Sequence, residues 1–416
     1  MSPHIYLLYH VAKDGEPQQT WIPTPEQAPM DHHLGHDGII FFKSALGRDP
    51  RLIYCRIDQL PQGSRWFYEV NRWYSTEPYD DPRAAMLDQF CANPRLVSDL
   101  HDGLGFLVYN DSREADLRHA NAVTALFAKR DIPLSRVIYL SGAANVTEMF
   151  AQQSHAMLSC YTPIFEIEAC GALLEPHDNG SLQIPTHRQV RKRFLCFNRR
   201  IAARLHRIQL LAKVYRRGIL DQFWYSFNAT TEGFQLLELA DCLNEPEHWD
   251  TAGAMRRLLP RLPLVLDRND FDVNFAVDHV WKTDLADYYH QSAVSVITET
   301  LFHSTEIMFS EKTWHPIRYG QPFIMVGSAG MLAKLRQLGY RTWSDWWDES
   351  YDSIADHHQR LDAIVDLLCE ISKWSDQRLQ DFAMQSRGHC LHNQQWLQQA
   401  QSRYDMFSVL DGFWQQ

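Results

Sequence analysis

Residues 295–328 constrain the fold more tightly than any other stretch of this chain. Ser295-Val-Ile-Thr-Glu299 is a short apolar run ending in a carboxylate. A polar loop follows, Ser310-Glu311-Lys312-Thr313 opens a helix that stops at Gly320, and Pro322-Phe-Ile-Met-Val326 is a second apolar run. Strand, polar turn, helix and strand in that order build parallel α/β winding. In such folds anions bind where helices begin beside the carboxyl ends of the strands.

The same alternation recurs upstream. Phe106–Tyr109 leads into Asn110-Asp111-Ser112 and a helical pattern from Ala115 to Lys129, and Val137–Leu140 leads into Ser141-Gly142 and a helix from Val146 to Gln153. Strands are also expected at Ile5–Tyr9, Gly38–Phe42 and Leu52–Ile57, with an extra one at Pro163–Glu168, so residues 1–185 read as one Rossmann-like domain. A stretch rich in turn formers between Leu174 and Arg191 marks its end. Residues 186–375 then form a second unit, opening with strand Phe194–Phe197, turn Asn198-Arg199-Arg200, helix Ala203–Arg217, a stop at Gly218 and strand Phe223–Phe227. The tail, 376–416, is too apolar to hang free, with Trp396, Leu397, Tyr404, Met406, Phe407 and Trp414 along it. A length of 416 residues suits two domains.

Composition narrows the function. With 51 acidic against 40 basic residues the net charge is -11, which disfavours general affinity for nucleic acid or anionic membrane. The eight cysteines are scattered without CxxC spacing, as expected of reduced thiols. No signal-peptide pattern opens the chain and no run of about 18 apolar residues occurs, so a cytoplasmic location is expected.

Two places join into a candidate site. In one, the strand ending Cys196-Phe-Asn198 empties into Arg199, Arg200, Arg204, His206 and Arg207 at a helix start; in the other, Glu311-Lys312 begins a helix. Helix N-termini carry unpaired N–H groups and partial positive charge, arginine adds a forked donor and lysine a point charge. Glu311 suits two ribose hydroxyls better than a phosphate. Together these residues describe a site for a nucleotide diphosphate. Each has a bland reading too: the arginines could cover the solvated face of an amphipathic helix, and Glu311 could be an ordinary first-turn acid.

Ile297-Thr298-Glu299, the polar spacer, Ser310-Glu311-Lys312-Thr313, Gly320 and Pro322–Val326 resemble the donor-binding signature of the α1,3-fucosyltransferase family, and Asn198–Arg207 is similar to that family's turn and helix-start arginine. The likeness covers roughly residues 192–330. It is closer still to bacterial and viral glycosyltransferase-like proteins carrying Asn-Arg-Arg and Ser-Glu-Lys-Thr. The resemblance implies a GT-B architecture: two facing Rossmann-like domains, with a C-terminal helix crossing back to the first. It also implies donor binding by Asn198, Arg199, Arg200, Arg207, Glu299, Glu311 and Lys312, with Arg207 and Lys312 on the pyrophosphate, Glu311 on the ribose and Glu299 near the transferred sugar. The co-substrate would be a nucleotide-diphosphate sugar, GDP-linked in the family, with no cofactor and no obligatory metal. Ser310, Tyr319 and Gln321 depart from the family's Thr, Ala and Val and leave base and sugar open.

An inverting transfer needs a base for the acceptor hydroxyl, and Asp111 or Glu114 after Phe106–Tyr109 offers one, though Asp111 could equally cap a helix. Asp31-His32-His33-Leu-Gly-His36-Asp37 is the best metal candidate, at a spacing that matches no standard site. Trp343, Trp346, Trp347 and Tyr351 read as packing, or as a surface for stacking on a sugar ring. The rival readings are a non-catalytic nucleotide-binding or scaffold protein of the same fold and a virus-type glycosyltransferase acting on modified DNA bases, the latter resting on Arg191, Lys192, Arg193, Arg199 and Arg200.

Overall fold

The computed structural model describes residues 4–9, 51–71, 82–111, 118–174, 183–185, 189–198, 204–227, 249–262, 264, 266 and 285–415. They fall into two compact α/β units. The first takes the described residues up to Glu168 together with those from Ala400 onward, and the second takes those from Ala169 to Gln399. No described helix is long and apolar enough to cross a membrane.

In the first unit six described strands, β1 (Ile5–Tyr9), β2 (Leu52–Arg56), β3 (Arg65–Asn71), β4 (Gly105–Asp111), β5 (Val137–Ser141) and β6 (Leu158–Tyr161), lie in the order β2-β1-β3-β4-β5-β6. Every pairing is parallel. β4 and β5 are buried along their whole length, which is why they read as continuous apolar runs. In the second unit β7 (Lys192–Asn198), β8 (Phe223–Phe227), β9 (Ser292–Thr298) and β10 (Phe323–Val326) lie in the order β10-β9-β7-β8, again all parallel. Both sheets share one device. The chain begins in the middle, adds a strand on one side, then returns to build on the other. In folds of this class ligands bind at such a reversal, which falls at the carboxyl ends of β1 and β3 in the first unit and of β7 and β9 in the second.

The end of the chain is part of the first unit's core. Leu410 and Phe413 are buried against Phe67, Phe106 and Val108, and Trp414 meets Phe67 edge-on with ring centroids 4.9 Å apart. Arg403 pairs with the buried carboxylate of Glu166, whose other oxygen accepts from the Tyr404 hydroxyl at 2.8 Å. The return begins at Ala400 rather than at 376. The helices Asp376–Gln385 and Arg387–Gln398 stay with the second unit, where Asn393 binds the Arg341 backbone, Gln394 the Arg318 carbonyl and Trp396 the Leu338 carbonyl. The division after Glu168 likewise comes earlier than the turn-rich stretch suggests.

Three elements of the first unit differ from expectation, β6 (Leu158–Tyr161) being one that no expected strand covers. Pro163–Glu168 is not a strand but the start of the helix Ile164–Leu174, whose Ile164, Ile167 and Cys170 are buried at helical spacing. β3 has no counterpart among the expected strands, because Arg65 and Glu69 bracket a run of only three aromatic residues; Arg65 is accommodated by an ion pair with Asp411. The expected strand Gly38–Phe42 lies outside the described residues.

Candidate functional site

The carboxyl ends of β7, β8 and β9 are pinned together by Asn198, which is fully buried. Its Nδ2 donates to the Tyr225 hydroxyl at 3.2 Å and its backbone N–H to Ser226 Oγ at 3.0 Å, while its Oδ1 accepts from Thr298 Oγ1. The expected ligand contact is thus spent on fixing the sheet edge. One step along, the helix Leu205–Arg216 points His206 and Arg207 at the end of β9: His206 Nε2 donates to the Glu299 carbonyl at 3.0 Å, and Arg207 Nη2 donates to the Thr298 carbonyl at 3.0 Å. Burial, aided by neighbouring Arg207, holds the His206 imidazole well below its usual range, so it is neutral, and it stacks on Phe302. Burial also lowers Arg207, to about 10, with Arg204 adding to the effect and Glu311 and Glu299 opposing it. The guanidinium stays charged at neutral pH.

Glu299 organises the next segment. Its Oε1 accepts from Ser310 N–H (3.1 Å) and Thr313 Oγ1 (2.5 Å), and its Oε2 from Thr300 N–H (3.1 Å) and Ser310 Oγ (2.5 Å). The side chain is fully buried. The start of the helix Glu311–Arg318, read from sequence as an open anion site, therefore already holds an internal carboxylate. Ser-Glu-Lys-Thr divides accordingly: Ser310 and Thr313 serve Glu299, and Glu311 and Lys312 stand on the other side.

Those two are the open part of the site. The side chains of Lys312 and Glu311 retain 22% and 26% exposure, against 2% for Arg207. Lys312 Nζ donates to Glu311 Oε1 at 2.5 Å and to Ser310 Oγ at 3.3 Å. Burial pushes the Glu311 carboxyl up, but the charge and hydrogen bond of Lys312 outweigh it and hold the group at about 2. Beside that cation it is a carboxylate, able to accept hydroxyl donors.

The sequence departures in this motif have structural work. Gln321 is buried; its Nε2 donates to the Tyr289 and Ser292 carbonyls, both at 3.0 Å, and its Oε1 accepts from Ser295 Oγ. Tyr319 stacks on Tyr289 at 4.5 Å. Gly320 has φ of 59°, and a Cβ there would meet Ile184 at 2.3 Å, so the helix stop requires glycine.

Arg360 was not foreseen. Buried near the same edge, it donates to the carbonyls of Gly327 (3.1 Å), Ile354 (2.6 Å), Ala355 (3.1 Å) and Phe302 (2.6 Å), tying the loop after β9 to the loop after β10. Nothing local in the sequence marks it, since its partners are backbone oxygens.

In the first unit, Asp111 ends β4 and is buried at 3% exposure, its Oδ2 accepting from the Tyr139 hydroxyl at 2.6 Å. Glu69 on β3 is only half-buried, and Asn110 Nδ2 donates to its Oε1 at 2.7 Å. Burial, opposed by that bond, pushes the Glu69 carboxyl up to about 7. A lone carboxylate inside Arg65-Trp-Phe-Tyr-Glu-Val-Asn71 was the sequence signal for it.

Asp31, His32, His33, His36, Asp37, Glu114, Arg199 and Arg200 lie outside the described residues. Among the described residues no group of His, Cys, Asp and Glu is arranged to hold a metal ion. Trp343 and Trp347 are buried, packed with Phe323 and Phe382. Comparison with protein-family models and with curated proteins finds no match to this chain.

Proposed function

We propose that the second unit binds a nucleotide-diphosphate sugar and that the protein is a glycosyltransferase of GT-B type, transferring the sugar to a hydroxyl acceptor with inversion. The observation that carries this reading is the position of Arg207, Glu311 and Lys312 at the carboxyl ends of β7 and β9, where the second sheet reverses its winding. Lys312 contacts the diphosphate by exchanging Glu311 for phosphate oxygens. Glu311, released by Lys312, then accepts from the ribose hydroxyls. Arg207, held against the Thr298 carbonyl, adds fixed positive charge that stabilises the departing diphosphate. Glu299, with four internal hydrogen bonds, sets the position of Glu311 and Lys312 rather than touching the sugar. The likeness of 295–326 to the α1,3-fucosyltransferase donor motif supports the class of donor, with a GDP-linked sugar the first to test.

The test is thermal unfolding against GDP, UDP, ADP and dTDP. A ligand at about 100 times its Kd stabilises by roughly 2.7 kcal/mol, so one of the four should raise Tm by several degrees. No response to any of them contradicts the reading. Binding without diphosphate release from the matching nucleotide sugar would favour a non-catalytic binder.

A further inference from the structure

Glu299 is held from a second side, by His206. This histidine lies in the first turn of the helix Leu205–Arg216, buried at 1% exposure, with its Nε2 at 3.0 Å from the Glu299 carbonyl. A carbonyl oxygen only accepts, so Nε2 carries the proton. The next residue, Arg207, donates to the preceding carbonyl, that of Thr298, also at 3.0 Å. One helix turn thus holds two consecutive carbonyls where β9 ends. The imidazole is fixed in plane as well as in reach. It stacks on Phe302 with centroids 5.1 Å apart at 15°, and the Arg360 guanidinium lies 4.6 Å from the centroid of that phenyl ring while donating to the Phe302 carbonyl. Glu299 is therefore gripped at both ends, its carbonyl by His206 and its carboxylate by Thr300, Ser310 and Thr313. Through this one residue the helix carrying Arg207 is tied to the helix start carrying Lys312. The charged and titratable groups around the ring are Arg204 and Arg207 at its own helix start, His303 edge-on at 6.1 Å in the loop after β9, and Arg360 over Phe302; Glu299 offers the ring its carbonyl and turns its carboxylate to Ser310. A protonated ring would add a further cation to that set.

We infer that His206 is the positioning residue of this sheet edge: its Nε2–H fixes Glu299, and through Glu299 the start of the helix Glu311–Arg318, so that the charge of Arg207 and the ammonium of Lys312 bear on one diphosphate together. The role for a diphosphate rests on the donor-binding reading. His206 itself touches no ligand. It supplies a donor without a charge of its own, since burial, with Arg207, His303 and Arg204 adding to it and the bond to Glu299 opposing, holds the imidazole well below 6.5. An uncharged donor leaves the positive charge of the edge to the two side chains that serve the phosphates.

The test uses the full chain, two variants and two measurements. His206→Phe keeps a ring against Phe302 and loses the N–H. His206→Gln places an amide nitrogen the same number of bonds from Cα as Nε2 and keeps the donor. In the first measurement GDP, UDP, ADP and dTDP are titrated calorimetrically. For the nucleotide that binds wild type best, His206→Phe should raise Kd about tenfold, and His206→Gln should return it to within about threefold of wild type. Equal affinity in His206→Phe and wild type, or an equal loss in both variants, overturns the assignment. The second measurement needs no ligand. Amide hydrogen exchange at Thr300, Ser310 and Lys312, whose N–H groups bond to Glu299 or Ser310, should be about tenfold faster in His206→Phe and near wild type in His206→Gln. Unchanged exchange at these three amides, or acceleration spread evenly over the strands of the second sheet, overturns the assignment. The expected exchange pattern in a protein that binds none of the four nucleotides leaves His206 as the residue that positions this edge and sinks the donor-binding reading instead.

Discussion

The two sheets reverse their winding in the same way yet put opposite chemistry at the reversal. In the second unit the carboxyl edge at β7 and β9 carries Arg207 and Lys312, and its acid Glu299 is consumed by four internal hydrogen bonds. In the first, Glu69 on β3 takes one hydrogen bond, from Asn110. Topology decides where a ligand can bind; the partners of each carboxylate decide what it can do there. Glu299 and Glu69 are both acids beside strand ends, the first with four hydrogen-bond donors and the second with one.

Substitutions that break this contrast rank by how much buried polarity they orphan. Arg360→Ala should be the most damaging. It removes a buried guanidinium serving four carbonyls, and a loss of about 4 kcal/mol in urea unfolding is expected; a loss under about 1 kcal/mol would show that the loops after β9 and β10 are held by something else. Glu299→Gln leaves an amide facing donors at Ser310 and Thr300 and should cost about 3 kcal/mol. If it unfolds like wild type but loses all transfer activity, Glu299 faces the substrate after all.

Glu69→Gln should act in the reverse sense on stability. Because folding raises this carboxyl from 4.5 to about 7, its contribution is full below about pH 4.5 and is lost as pH rises through about 7. The variant should therefore match wild type at pH 4.5 and exceed it by about 2 kcal/mol at pH 8, allowing for the solvent that reaches a half-buried side chain. Identical pH–stability curves would remove the distinction between the two acids. Smallest is Lys312→Ala, a partly exposed ion pair whose loss should change stability by less than about 1 kcal/mol while weakening nucleotide binding about tenfold.

Much of the second unit was legible because its strands are buried apolar runs and its helix start carries a Ser N-cap and a glycine stop. Phe223–Phe227 and the helix Val146–Gln153 of the first unit fall where the patterns put them. The partners of Glu299 were not legible: a carboxylate at a strand end looks ligand-facing until the chain folds Ser310 and Thr313 back onto it. β3 escaped for the related reason that Arg65 and Glu69 bracket its short aromatic run. Arg360 acts on carbonyls, which no side-chain pattern announces.

The second unit's part is tested most directly by isothermal titration of GDP-, UDP-, ADP- and dTDP-linked sugars into wild type, Lys312→Ala and Glu69→Gln. One donor should bind wild type and Glu69→Gln with equal affinity and Lys312→Ala about tenfold more weakly. No binding by any donor, or binding that Lys312→Ala leaves unchanged, would contradict a nucleotide-diphosphate site at the β7–β9 edge.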